Sequence, residues 1–342
     1  MTVIRLLLGM GILLAALVPS ASEGTSKGES EAGLELLQSA MKAEDVWVAG
    51  AEPAEVHGEI QIALAGGKVF DGEYALWWES PQRWRQEIRV AGFERTRVQS
   101  GNGYWQRRNI GFEPLPLFEV DELFDVRRLL QLKPTEHLGK ESEKKQGRER
   151  VRCAEVEQHG QVDRKLCIDE KSGALASVDF PTGAHMHSPE ITRIEYSSFV
   201  PWAGKLLASE VRALRNGQLV AAIKVGAVNK LENARSDLLQ HPQGADFWPQ
   251  CEDGTQISLA NRVQPQYPQT ARANREQGRV IFYAVVEESG ELSHITVIQK
   301  ASPNLEAAAL AAVGQWRYKP ATCGGAPIRA ETSIPVDFAL EY

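Results

Sequence analysis

Residues 264–300 read QPQYPQTARANREQGRVIFYAVVEESGELSHITVIQK, and residues 301–342 continue ASPNLEAAALAAVGQWRYKPATCGGAPIRAETSIPVDFALEY. The residue before a proline is pushed out of the helical region, so Gln264-Pro265-Gln266-Tyr267-Pro268 predicts an extended entry with Pro268 as the first helical residue. A short helix follows through Ala271 and Ala273 to Gly278, a residue type that commonly ends helices. From Arg279 to Glu287 the chain is rich in β-branched and aromatic residues, and Ser289-Gly290 is a turn signal before a second strand, Leu292 to Ile298. Ser302-Pro303 supplies an N-cap and a first-turn proline for a helix that keeps Leu305, Ala309, Ala312, Val313 and Trp316 on one face. After Gly324-Gly325, the residues Ala330, Thr332, Ile334, Val336 and Phe338 alternate with polar neighbours, the pattern of a half-buried strand. Pro335 cannot donate to a ladder and is confined to edges, bulges and strand starts, so an edge is one place for this strand. Such an edge is either protected by its proline and alternating charges or open to an extended peptide as an added strand.

Working outward, these residues resemble the C-terminal domain of TonB, the periplasmic energy transducer. The features that match are Gln264 to Pro268, Ala271, Gly278-Arg279-Val280, Gly290, Leu305 with Ala309, Trp316 to Pro320, Gly325 with Pro327, and Val336 with Phe338. They cover about the last quarter of the chain, and their order and spacing together carry the resemblance. The resemblance implies a small antiparallel sheet packed on two helices. It also implies a binding module, not an enzyme, that takes a short segment of an outer-membrane receptor or another periplasmic protein by strand addition. On this basis Gln266, Tyr267 and Pro268, with Ile334, Val336 and Phe338 on the last strand, are the candidate partner-binding residues. Trp316, an indole on an apolar helix face, is read as a core anchor.

A full transducer of that family couples to an inner-membrane motor through an anchor helix and reaches across the periplasm on a proline-rich spacer. Here the 17 prolines are scattered. The apolar run Leu6 to Val18 follows Arg5 and precedes small residues, which reads as a cleaved secretory signal over residues 1–22, with an uncleaved inner-membrane anchor as the alternative. The expectation is therefore a periplasmic protein that does not itself transduce energy.

Export agrees with four cysteines, an even number that favours disulfides in an oxidising compartment. Val151 to Glu157 and Asp163 to Asp169 read as a hairpin about Gly160, which sets Cys153 opposite Cys167. Cys251 and Cys323 would then join. No Cys-x-x-Cys pair and no His at ligand spacing from a Cys is present, so no metal and no cofactor is expected. His185 and His187 form a loop pair without a third ligand.

Upstream of the C-terminal module, a polar lead over residues 23–33 precedes a larger domain, 34–245, and a linker, 246–262. Leu34, Leu37 and Met41 mark an amphipathic helix. Alternating strands follow, and a helix is expected from Asp121 to Leu132. Asn216-Gly217 is a strong hairpin signal. The stretch Tyr74 to Arg107, with Ser80-Pro81, Arg83-Trp84-Arg85 and Gly103-Tyr104-Trp105, resembles the LolA-like lipoprotein-carrier superfamily, as does Ile223 to Ala245. That resemblance implies a curved antiparallel half-barrel closed over an apolar cavity for acyl chains, with Trp77, Trp78, Trp84 and Trp105 as its candidate lining, the alternative being plain core. The fold class expected for the whole is thus α+β.

Other chemistry finds little footing. The net charge of -7 and the Glu residues interleaved with Lys144, Lys145, Arg148 and Arg150 speak against nucleic acid. Neither a nucleophile elbow nor a zinc-protease helix, a phosphate loop or a dinucleotide fingerprint is found. An alternative function, carriage or sensing of lipid or lipoprotein, rests on the larger domain.

Overall fold

The computed structural model describes residues 24–44, 46–64, 66–120, 126–146, 149–181, 193–232, 237–250 and 254–340. The leader 1–22, His185, His187 and Cys251 lie outside the described residues. Most of the chain is antiparallel sheet with few helices, arranged as one large N-terminal sheet and a small C-terminal sheet.

The large sheet contains β1 (Ala54–Ala63), β2 (Val69–Ser80), β3 (Arg83–Val90), β4 (Phe93–Ser100), β5 (Gly103–Arg108), β6 (Glu136–Gln146), β7 (Glu149–Gln158), β8 (Gln161–Asp169), β9 (Leu175–Asp179), β10 (Arg193–Trp202), β11 (Lys205–Arg215), β12 (Gln218–Lys230) and β13 (Asp246–Pro249). Its order is β13-β5-β4-β3-β2-β1-β12-β11-β10-β9-β8-β7-β6. Two meanders are therefore joined where β12 pairs β1. The hairpin turns follow from residue type: Asn216 and Gly217 both take positive φ, 50° and 78°, which lets a two-residue turn match the strands' twist.

Helices α1 (Gly24–Glu44), α2 (Leu115–Val120) and α3 (Val126–Leu130) belong to this domain. Leu37 and Ala40 of α1, Leu117 of α2, and Leu129 and Leu130 of α3 form one core with Ile60, Ile62, Ile88, Leu166, Ile194 and Ile223 of the sheet. One expectation changes here. Helix α1 begins at Gly24, so the polar lead forms its first turns. Of the helix expected from Asp121 to Leu132, residues 121–125 lie outside the described residues and Val126–Leu130 is helical; α2 precedes it, with the Pro114 carbonyl accepting from the N–H groups of Leu117 and Phe118.

Cys153 pairs Cys167 across β7 and β8 and is disulfide-bonded to it. Both sulfurs are buried beside Val151 and Ala176. Cys323 is also disulfide-bonded. Replacing Cys153 and Cys167 together by Ser is expected to lower stability by about 3 kcal/mol, the loop-entropy value for a closed loop of about 15 residues. A denaturant midpoint unchanged from the oxidised wild type would refute this.

The C-terminal part holds β14 (Ser258–Asn261), helix α4 (Gln269–Ala273), β15 (Gly278–Val286), β16 (Leu292–Gln299), helix α5 (Pro303–Val313), β17 (Arg317–Lys319), β18 (Ala321–Cys323), β19 (Ala326–Ile328) and β20 (Ala330–Phe338). Its main sheet runs β16-β15-β20. Ser302 caps α5 through Leu305 N–H, with Pro303 in the first turn. Pro268 is the N-cap of α4, with ψ 138°, and not its first helical residue. Gly278 does not end α4. Arg275 takes φ 55°, and the amides of Glu276 and Arg275 bond the carbonyls of Ala271 and Arg272, a Schellman ending that uses Arg where Gly is usual. Gly278 instead opens β15.

Candidate functional site

In the small sheet β20 pairs only with β15, from Gly278↔Phe338 to Val286↔Ala330. Among the described residues no strand pairs along the other side of this nine-residue strand. Alternation along it is strict near its end: Thr332, Ile334, Val336 and Phe338 are buried, whereas Pro335 and Asp337 are exposed. Ile334, Val336 and Phe338 enter the core formed with Val280, Phe282, Leu305, Ala309, Val313 and Trp316. Their side chains are thus committed inward.

The segment Gln266-Tyr267-Pro268 lies beside the end of this strand. The Tyr267 ring meets Phe338 edge-on, with centroids 5.5 Å apart, and its hydroxyl donates to the carbonyl of Glu276. Gln266 is exposed. Trp316, buried in the core, holds the approach to this segment by donating from Nε1 to the Val263 carbonyl at 2.8 Å. Arg279 and Asp337 pair across the strands at 2.5 Å.

The opposite face of the same sheet is not free. Ile281, Tyr283 and Val285 of β15 point away from the helices yet are as buried as their neighbours. Tyr283 and Val285 cluster with Trp248 of β13, and Tyr104, Phe112, Phe118 and Ile298 pack around them. The large domain therefore covers this face. Strand β13, in the stretch expected as linker, pairs with β5 and brings Trp248 to the junction.

At the centre of the junction lies a buried ionic cluster. Register sets Ile88 opposite Arg95 and Arg95 opposite Arg108, and it sets Gln86 opposite Arg97 and Arg97 opposite Gln106. The two arginines of β4 therefore share the core-facing side of the sheet with Arg108. Glu113, wholly buried, accepts from Arg95 and, at 3.0 Å, from Arg97, with Arg108 3.9 Å away. Glu331 of β20 accepts from Arg108 at 2.7 Å and from the Tyr283 hydroxyl at 2.5 Å. Burial and the neighbouring Arg95 charge lower the Arg97 pKa, with Glu113 opposing. For Arg108 burial pulls the same way, but Glu331, Tyr283 and Glu113 outweigh it and the pKa rises. Burial and the Glu331 charge push the Tyr283 hydroxyl up, so it stays protonated as a donor.

Sequence reading missed this cluster. The available signal was Arg95, Arg97 and Gln99 at every second position of one short strand, a polar row on what proves to be the core-facing side.

The four tryptophans do not converge. Trp78 and Trp84 lie opposite each other on the core-facing side, with Trp47 5.4 Å from Trp78. Trp77 and Trp105 lie on the other side: Trp77 donates to Glu55, and Trp105 stacks on His241 at 4.2 Å. Among the described residues no group of three or more His, Cys, Asp or Glu could hold a metal, and no helix is long and apolar enough to cross a membrane.

Over its N-terminal region the chain is similar to a crystal structure of a LolA superfamily protein from Nitrosomonas europaea, at 10% identity and TM-score 0.39, covering 61% of this chain and 97% of that one. The solution structure of the Pseudomonas aeruginosa TonB CTD matches at 23% identity and TM-score 0.23, covering 27% of this chain and 94% of that one. Protein TonB of Xanthomonas campestris pv. campestris (strain B100) is 34% identical over 86 residues, 25% of this chain and 38% of that protein. The chain thus spans little more than a third of the length of that curated relative. The family whose model matches is described as Gram-negative bacterial TonB protein C-terminal, and the match takes in residues 263–340, which hold β20 and the Gln266-Tyr267-Pro268 segment.

Proposed function

We propose that this chain is a TonB-like, transport-associated binding protein of the Gram-negative periplasm. Its C-terminal domain takes a short extended segment of an outer-membrane receptor, or of another periplasmic protein, as an additional strand on β20. One observation carries the reading: within the stretch that matches the TonB C-terminal family, β20 is a nine-residue strand whose one strand neighbour, among the described residues, is β15. Main-chain hydrogen bonds along such an edge supply affinity, and the exposed Gln266 beside Tyr267 and Pro268 supplies side-chain contacts. The Cys153–Cys167 disulfide supports an oxidising compartment.

Amide hydrogen exchange of the whole chain, with and without peptides from the periplasmic segments of the host's outer-membrane receptors, tests it. Protection concentrated on residues 330–338 and 266–268 is expected. Absence of protection with every peptide would remove the strand-addition reading.

The position of Trp78 opposite Trp84 on the core-facing side supports a second reading, carriage of acyl chains by the larger domain. The two readings separate by mass spectrometry of an organic extract of the purified protein: a carrier retains acyl chains and a docking protein is empty.

A further inference from the structure

Strand β20 is held unevenly along its length. Ile334, Val336 and Phe338, in its second half, belong to the small core, whereas none of Ala330 to Ser333 does. A strand segment that buries little apolar surface opens locally at low cost. Two contacts from the large domain hold this first half instead. Arg329, the residue before β20, lays its guanidinium over the Trp248 ring at 4.5 Å and donates to the Phe247 carbonyl at 3.0 Å, with Asp246 3.9 Å away. Two residues on, Glu331 accepts from Arg108 at 2.7 Å, and Arg108 also donates to the Tyr283 hydroxyl at 3.1 Å. Both grips act through side chains, and among the described residues neither places a strand on the side of β20 away from β15.

We propose that the large domain sets the usable length of the docking edge. Arg108 and Trp248 hold Ala330 to Ser333 in register with β15, so an incoming segment meets nine ordered residues and not only the second half of the strand. In strand addition the main-chain hydrogen bonds supply affinity, and any cost of ordering the acceptor is subtracted from it. Arg108, Trp248 and Arg329 are therefore positioning residues, which strengthen docking through the backbone of β20. Whatever loosens the junction shortens the edge, and the large domain thereby regulates the small one. The inference rests on the strand-addition reading and adds the control of that same site.

The test uses the full chain and the variant Arg329→Gln/Glu331→Gln. The Arg329 side chain is 37% exposed, and glutamine at 331 keeps the shape of the glutamate and an acceptor for Arg108, so the loss falls on the two grips. Amide exchange of the free proteins comes first. Exchange at residues 330–333 is expected to rise about tenfold in the variant, while residues 336–338 and 278–281 keep the wild-type rate. Peptides from the periplasmic segments of the host's outer-membrane receptors are then titrated. Their Kd is expected to weaken about tenfold in the variant, with the same protection of 330–338 at saturation as in wild type. Arg329→Lys, which keeps a cation over Trp248, should recover part of the affinity. If the double variant does not fold, Arg329→Gln alone is measured. Exchange at 330–333 that stays at the wild-type rate, or loosening that spreads equally to 336–338, would overturn the proposal. Equal affinity of wild type and variant for a peptide that protects both would overturn it and leave strand addition standing. Absence of protection of wild type by every peptide removes strand addition and this inference together.

Discussion

Glu113→Gln is expected to destabilise the large domain by about 3 to 5 kcal/mol, the range for removing one member of a buried ion pair. Glutamine keeps the shape and one acceptor oxygen of the wholly buried Glu113, so little packing is lost. What changes is the charge facing Arg95, which has no exposure, and Arg97, whose pKa burial and Arg95 already lower. Glu331 does not substitute for Glu113, because its carboxylate is engaged by Arg108 and Tyr283. The check is urea unfolding of the variant beside wild type, read at a tryptophan of the large domain. A loss below about 1 kcal/mol would show that the guanidinium groups find other compensation.

The residues that were legible in the sequence carry their signal locally. Ser302-Pro303, Ser289-Gly290 and Asn216-Gly217 each fix a cap or turn by their own chemistry, and the period of two along β20 needs only one buried face. The failures had distant causes. The end of α4 is set by Arg275 in a left-handed conformation that its residue type does not announce. In β4 the usual polarity is inverted, because Arg95 and Gln99 are buried on the core-facing side and Val98 is buried on the other. Only a second domain against the one side, and a segment such as 237–241 against the other, produce that pattern. Arg85, opposite Val98, reaches the Leu238 carbonyl in this segment.

One long-range feature was readable in principle. The run Val280 to Val286 does not alternate, and a strand that is continuously apolar is buried on both faces. It therefore required something to cover the side of the small sheet away from its helices, and the large domain does so with Tyr104, Trp248 and Phe118. The candidate edge and the junction meet on β20. Its inward residues build the small core, its backbone on the side away from β15 is the proposed docking edge, and its Glu331 is held by the large domain.

Raising the pH from 5 to above 8 is expected to cost the large domain about 4 kcal/mol through Glu44, and Glu44→Gln is expected to abolish that loss. Glu44 is the last residue of α1 and is buried where the helix meets β9. Desolvation pushes its pKa from the ordinary 4.5 up to about 8, against the lowering effect of the Leu175 N–H, which donates to it at 2.6 Å. Its place at a helix C-terminus acts in the same sense as burial, since the helix dipole disfavours negative charge there. The sign follows from proton binding. Between 4.5 and about 8 the folded state keeps a proton that the unfolded state has lost, so stability falls as pH rises across that window. The neutral-acid contribution is complete below the unfolded value and gone above the folded one. At about 1.4 kcal/mol per pH unit the window corresponds to about 4 to 5 kcal/mol. Glutamine is neutral throughout and retains a carbonyl for Leu175 N–H. Wild type and variant should therefore unfold at similar urea concentrations at pH 5 and separate progressively up to pH 8.5, with the variant the more stable. Parallel pH profiles for the two proteins would mean that Glu44 ionises without penalty, and that the end of α1 opens to water before the domain unfolds.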